Sequence, residues 1–504
     1  MLFNSYIFIC ILLPVALLGW YGLNYFGHNR LAGIFLTGIS LWFYAYFHVS
    51  YLFVITGSIV LNYLISLIVE AYRKHGDAEN GGVMRILLII SVVANLGILF
   101  YFKYTDFLIE NINTLTGRDI ALRHILLPLG ISFFTFQQLS YVIDRCRDRA
   151  PHYDLITYMT FVTFFPQLIA GPIVTYDEMM PQFADMGRRR IDPDNMRTGI
   201  RYFVIGFAKK ILLADVLAGP VNQAFITPRE LDTVTVIIVM LMYMFELYFD
   251  FSGYCDMASG IAKMFNIDLP MNFNSPYTSA NVKELWQRWH ITLSRFFTTY
   301  VYIPLGGSRR GYGRMLTNVF IVFVLSGLWH GAAWTYVLWG AVNGLLVVWD
   351  NACLIGVRGC EYKRECKLYI PRKAGQILTF CFFLLSLCFF RSSTIPDALH
   401  LIRSVFVFNW NGRLFDILSY LKTPEFYVIE EAAGMMSANM LNYVHLACAL
   451  IMLAVSFIII LKPNSHEIAP RNDHPVRDGI LMGIVFAWCF ISLNQVSTFL
   501  YFNF

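Results

Sequence analysis

Stretches of about 20 mostly apolar residues recur almost from one end of this sequence to the other, and nothing else in it constrains the fold so strongly. A helix rises about 1.5 Å per residue, so roughly 20 such residues cross about 30 Å of hydrocarbon. About eleven to thirteen windows qualify by that measure. The clearer ones lie at 5–25, 31–47, 50–70, 86–103, 200–217, 233–250, 316–332, 333–350, 376–391, 442–462 and 478–498. With 57% hydrophobic and 14% charged residues, the chain falls far short of the about 25% charge of a soluble protein. An all-α polytopic membrane protein is expected, because a helix satisfies its own backbone in lipid. Disorder, coiled coil and a secreted disulfide scaffold are excluded. The net charge of +5 is too small and too scattered for a nucleic-acid surface, and fits cytoplasmic loops better.

Two further windows, 124–143 and 155–176, are interrupted by Pro128, Pro166, Gly171 and Pro172. Broken segments survive in a membrane only where protein or a water-filled cavity satisfies the freed backbone. The basic segments DRCRDR at 144–149 and Arg188 to Arg190 flank only one such window. Either that window consists of two half-helices that enter and leave on one side, or it is one ordinary span with an imperfect charge rule. The loop from Arg358 to Lys373, with six basic and two acidic residues, is another cytoplasmic candidate. The apolar N-terminus has no preceding basic residue and no small-residue cleavage site, and reads as a first span. None of the ten cysteines forms a CxxC pair, so no metal or disulfide framework is expected.

Residues 251–314 are too polar to span and too apolar for a plain loop. Within them Trp286, Trp289, Phe296, Phe297 and Tyr300 recur near helical spacing beside Lys283, Arg288 and Arg295, which predicts an amphipathic helix at the membrane interface. Ionisable groups in apolar surroundings point to chemistry, since a charge at a helix centre costs about 2.5–3.5 kcal/mol even on the lenient insertion scale. His330 leads, set in IVFVLSGLWHGAAWTYVLWG with Gly327 and Gly331 permitting close approach. Its bland alternative is a packing histidine bonded to a neighbouring carbonyl. His290, in ELWQRWHITLS, reads as a second proton carrier facing the same cavity or, more simply, as an interfacial side chain beside its tryptophans. His445 also lies in an apolar helix. Glu246 and Asp250 share a helix face, as a proton relay or, more simply, as cavity lining or a cap. The turn YIPLGGSRRG could meet donor phosphates or lipid headgroups. No GxSxG, HExxH or P-loop is present.

An ordered series of motifs runs through LPLGISFFTFQQLSYVIDR (127–145), FFPQLIAGPIV (164–174), LYFDFSGYCDMASGIA (247–262) and NFNSPY (272–277). It continues through LWQRWHITLSRFF (285–297), YIPLGG (302–307), LSGLWHGAAWTYVLWG (325–340) and FRSSTIPDALH (390–400). In these the sequence resembles the membrane-bound O-acyltransferase (MBOAT) family, in particular the bacterial membrane subunits of alginate O-acetylation and teichoic-acid D-alanylation. The resemblance implies a single membrane domain over 1–504, with N-terminal helices at 1–120, a catalytic core at 121–350 and C-terminal helices at 351–504. It also implies spans and re-entrant or interfacial helices around a central tunnel.

By the same resemblance His330 matches the family's catalytic histidine and His290 its second one. Trp329, Trp289, Trp286, Arg288, Asp250, Ser252, Asp256, Gln137, Asn274 and Asn343 are the expected tunnel lining, with no metal and no resident cofactor. The donor would be acetyl-coenzyme A or another acyl thioester, and the acceptor a hydroxyl of an extracytoplasmic glycan. A secreted or membrane-anchored esterase-like partner of SGNH type would finish the transfer, with the enzyme in a bacterial inner membrane among lipids and no nucleic acid involved. D-alanyl transfer to teichoic-acid-like polymers is the nearest rival. A lipid acyltransferase and a proton-coupled transporter follow, the latter without the internal repeats it predicts. Two departures stand out: Asn343 occupies the place of a further histidine, and Thr298 and Thr299 that of an Arg-Asp pair.

Overall fold

The computed structural model describes residues 1–74, 81–361, 365–421, 423–471, 473–493 and 499–500. Among these, seven helices are long and apolar enough to cross a membrane: Phe8–Tyr25, Tyr51–Lys74, Gly82–Thr116, Thr233–Met264, Tyr312–His330, Arg372–Arg391 and Ala438–Ile460. The other clear windows also become helices, over Asn29–Ala45, Trp334–Ala352 and Pro475–Ile491. The window at 200–217 becomes a helical run from Pro193 to Ala224 that loosens into a π turn at Lys209–Ala214. Residues 494–498 of the last window, and 362–364 of the basic loop, lie outside the described residues. Leu18 and Phe53 are about three-quarters exposed, as expected of side chains that face lipid tails.

The chain separates into two compact units, Met1–Phe203 with Cys255–Pro270, and Val204–Tyr254 with Met271–Phe504. In the first unit the interrupted windows do break. Residues 155–176 form a helix Leu155–Thr163, capped by Asp154 accepting from the amides of Ile156 (3.0 Å) and Thr157 (3.2 Å), and a four-residue helix Phe165–Leu168. Gly130 opens the helix Ile131–Cys146 at φ 70°, where a Cβ would lie 2.5 Å from the Leu168 carbonyl oxygen, so only glycine fits. Arg145, from the basic segment at 144–149, is not a solvated loop charge. It is buried, pairs with Glu70 at 2.8 Å and donates to the Ala150 carbonyl at 2.9 Å.

The interior of the first unit holds a polar cluster across four helices. Asn62 and Asn95 exchange side-chain hydrogen bonds of 3.0 and 2.7 Å. Asn62 also donates to Gln138 (3.1 Å), Gln138 donates to Ser58 (2.9 Å), and Tyr158 donates to Gln138 (3.0 Å). Polar side chains that bond across apolar helices fix register where lipid gives no hydrophobic preference between helix faces.

In the second unit Tyr312–His330 and Trp334–Ala352 form a helical hairpin joined by Gly331–Ala333. Gly327 and Gly340 face each other across it. A Cβ on Gly327 would fall 2.3 Å from the Tyr336 carbonyl oxygen, and one on Gly340 2.4 Å from that of Phe323. Both glycines are therefore required for the backbones to meet this closely, and the contact fixes the ends of the hairpin.

The expected single amphipathic helix over 283–300 is not what forms. Val282–Arg288 and Ile291–Phe297 are separate seven-residue helices, broken at Trp289 and His290, with a π turn at Thr298–Tyr302 following. His290 is left-handed at φ 46°, a conformation that costs a non-glycine residue free energy and ends the first helix. Trp286, Trp289, Phe296 and Phe297 are all buried, so the aromatic stripe belongs to the interior and not to an interface. Asn281 and Asp350 anchor the first of these helices, accepting from the amides of Glu284 (2.7 Å) and Lys283 (3.0 Å).

Candidate active site

His330 is the last residue of its helix, where the glycine crossing holds the backbone, and only 3% of it is exposed. Its ring is enclosed by Trp329 (centroids 4.9 Å apart), Trp339 (5.2 Å) and Phe390 (5.4 Å). His290 projects from the break between the two short helices and is 1% exposed. It packs edge-on against Phe251 at 4.9 Å, and lies 5.9 Å from Trp329. The two imidazole centroids are 6.2 Å apart. Two side chains forty positions apart in sequence thus face one another inside a single aromatic enclosure. His290 is therefore not the interfacial side chain that its sequence neighbourhood allowed.

The enclosure also explains the state of His290, which lies outside every candidate span. Burial lowers its pKa from the ordinary 6.5 to about 3, so the ring is neutral. Its Nδ1 lies 3.1 Å from Asn272 Oδ1, which also accepts from the Thr292 hydroxyl (2.9 Å) and the Thr292 amide (3.3 Å).

Other expected lining residues divide. Trp286 packs edge-on against Trp339 at 5.5 Å, and Trp289 edge-on against Phe273 at 5.1 Å. Asn343, fully buried one helical turn beyond Trp339, donates to the Trp339 carbonyl at 2.9 Å. Arg288 turns away to an ion pair with Glu284 at 2.8 Å, and Glu284 also holds Arg372 at 3.1 Å. Asn274 is exposed and accepts from Asn464 at 3.0 Å; its neighbour Asn272, which the sequence did not single out, is the residue at the histidine. Asp250 is bound by Lys210 at 2.5 Å, and Lys210 also pairs with Asp215 at 2.8 Å, so this carboxylate is the counter-ion of a buried lysine and not a cap. Ser252 is buried in the second unit; Gln137 and Asp256 are buried in the first. His445 is buried in the helix Ala438–Ile460.

The wall residues Phe251, Phe273, Trp339 and Phe390 escaped the sequence reading because each looks like ordinary span filling. Among the described residues no cluster of three or more His, Cys, Asp or Glu side chains is placed to hold a metal ion. The arrangement offers two nitrogen bases in a buried, aromatic enclosure, which suits proton transfer at an uncharged reacting centre.

Residues 132–393 match the family model of MBOAT, the membrane-bound O-acyltransferase family. The chain belongs to this family, and it is an O-acyltransferase. It is 35% identical to the peptidoglycan O-acetyltransferase of Helicobacter pylori over 535 aligned residues, covering 100% of this chain and 98% of that one. It is 36% identical to the probable alginate O-acetylase of Pseudomonas aeruginosa, covering 81% of this chain and 75% of the relative. The teichoic acid D-alanyltransferase of Bacillus subtilis is 31% identical over 44% of this chain and 58% of its own.

Proposed function

We propose that this protein takes an acetyl group from a cytoplasmic thioester, acetyl-coenzyme A, and passes it to a hydroxyl of an extracytoplasmic cell-envelope polysaccharide. The pairing of His330 and His290, buried together with ring centroids 6.2 Å apart, carries the reading. Its support for acetyl over D-alanyl is the full-length likeness to a peptidoglycan O-acetyltransferase against the partial likeness to a D-alanyltransferase. Transfer to a glycan directly, or through an esterase-like partner protein, uses the same two imidazoles.

In the reaction His330 Nε2 removes the proton of the acceptor hydroxyl as its oxygen bonds to the thioester carbonyl carbon. The tetrahedral adduct then collapses, the carbon–sulfur bond breaks, and the leaving thiolate takes the proton back from the imidazolium. The last carbonyls of the helix ending at His330 carry partial negative charge, which steadies that transient cation. His290 touches the same reacting atoms, either donating to the carbonyl or accepting from the hydroxyl. A positioned base contributes about 10²–10⁴-fold to such a step.

The test is ester-bound acetate released by mild base from the envelope polysaccharide of cells carrying wild type, His330→Ala or His290→Ala at equal membrane abundance. Loss of acetate with His330→Ala is expected. Unchanged acetate with lost ester-bound D-alanine would transfer the reading to D-alanylation, and no change in either ester would end it.

A further inference from the structure

The contacts of His290 decide which of its two roles it plays, an inference that rests on the acyl-transfer reading above. Asn272 Oδ1 accepts from the backbone amide of Thr292 at 3.3 Å and from its hydroxyl at 2.9 Å. A backbone N–H only donates, so the Asn272 side-chain atom facing it is the oxygen and not the amide nitrogen. The same oxygen lies 3.1 Å from His290 Nδ1, and since a carbonyl oxygen has no proton to give, Nδ1 is the protonated nitrogen. In a neutral imidazole with its proton on Nδ1, Nε2 is a bare lone pair.

Asn272 grips this loop twice. Its backbone carbonyl accepts from the Ile291 amide at 3.0 Å while its side chain holds residues 290 and 292, so the left-handed turn at His290 and the tautomer of its ring are set by one residue. Asn272 and Thr292 are each about 1% exposed, so no solvent competes for these bonds.

We infer that Asn272 is a positioning residue that locks His290 in the Nδ1–H tautomer, so that His290 Nε2 accepts a hydrogen bond from the acceptor hydroxyl and does not donate one to the thioester carbonyl. His290 then aims the hydroxyl, and His330 removes its proton.

The experiment reads ester-bound acetate per unit of membrane protein for six proteins: wild type, His290→Ala, His290→Arg, Asn272→Ala, Asn272→Asp and the double variant His290→Ala/Asn272→Ala. Asn272→Ala is expected to lose about tenfold to a hundredfold, as orienting partners of functional histidines do. Asn272→Asp, which keeps an acceptor oxygen in place, is expected to stay within about threefold of wild type, since both oxygens of a carboxylate accept. His290→Arg, whose guanidinium only donates and has no acceptor atom, is expected to be no better than His290→Ala, and the double variant no worse. Recovery by the donor-only His290→Arg above His290→Ala overturns the acceptor assignment. Asn272→Asp as poor as Asn272→Ala, or a double variant clearly below His290→Ala, overturns the positioning role. When Asn272→Ala does not accumulate, Asn272→Leu, closer in volume, takes its place. Wild-type acetate with His290→Ala removes His290 from the reaction altogether, which is a failure of the catalytic reading and is distinguishable from wild-type acetate with Asn272→Ala alone.

Discussion

The polar cluster around Asn62 and the surroundings of the two histidines are equally buried and are built in opposite ways. In the first, Asn62, Asn95, Gln138, Ser58 and Tyr158 bond to one another. In the second, the indole N–H groups of Trp286 and Trp339 and the side-chain oxygen of Asn343 make no hydrogen bond among the described residues. An unmet polar group in a low-dielectric interior costs free energy, so a fold tolerates it where something else supplies the partner. The first cluster is complete in itself, whereas the second keeps buried polar atoms that the described residues leave unmet.

That contrast can be broken from either side. The largest effect is expected at His330, where His330→Ala lowers ester formation by about 10²–10⁴-fold while the thermal midpoint in detergent stays at the wild-type value. A lowered midpoint with activity retained would make the residue scaffold. Asn62→Leu is expected to do the reverse, costing about 1–2 kcal/mol of stability with the turnover of the folded fraction unchanged. Lost turnover at an unaltered midpoint would move the Asn62 cluster into the catalytic apparatus.

Trp339→Phe keeps the ring against His330 and deletes the N–H, so a loss of about threefold to tenfold is expected, the worth of one hydrogen bond. Full activity would show that this indole binds nothing. The smallest effect is in acid. His290 has its pKa lowered by burial to about 3 from 6.5, so between those values the unfolded chain binds a proton that the folded one refuses. Stability from this site is complete above pH 6.5 and declines as the pH falls towards 3. The wild-type midpoint should therefore drop more steeply over that window than that of His290→Gln, and parallel curves would remove His290 from the acid response.

The spans and the two histidines were legible in the sequence because each depends on local pattern. A run of apolar residues needs no distant partner to declare itself, and an imidazole among them is conspicuous. What escaped depends on where the chain folds back. The aromatic stripe from Trp286 to Tyr300 has helical spacing, yet Asn272 captures the backbone at Ile291 and the chain breaks there. Asn272 and Asn274 look alike in NFNSPY; one is buried against His290, and the other is at the surface against Asn464. The counter-ion of Asp250, Lys210, lies forty positions earlier, and no local pattern announces that pairing.

The glycine-crossed hairpin also sets a ruler. Its first helix has nineteen residues, which at about 1.5 Å each gives a length of roughly 28 Å. The end that follows the basic pair Arg309 and Arg310 and the end that carries His330 are thus separated by about one hydrocarbon thickness. A donor bound at that basic end would have to extend its acyl group over most of that distance to meet His330. A long flexible arm such as that of a thioester carrier has the necessary reach, and a compact activated acid such as an acyl phosphate does not.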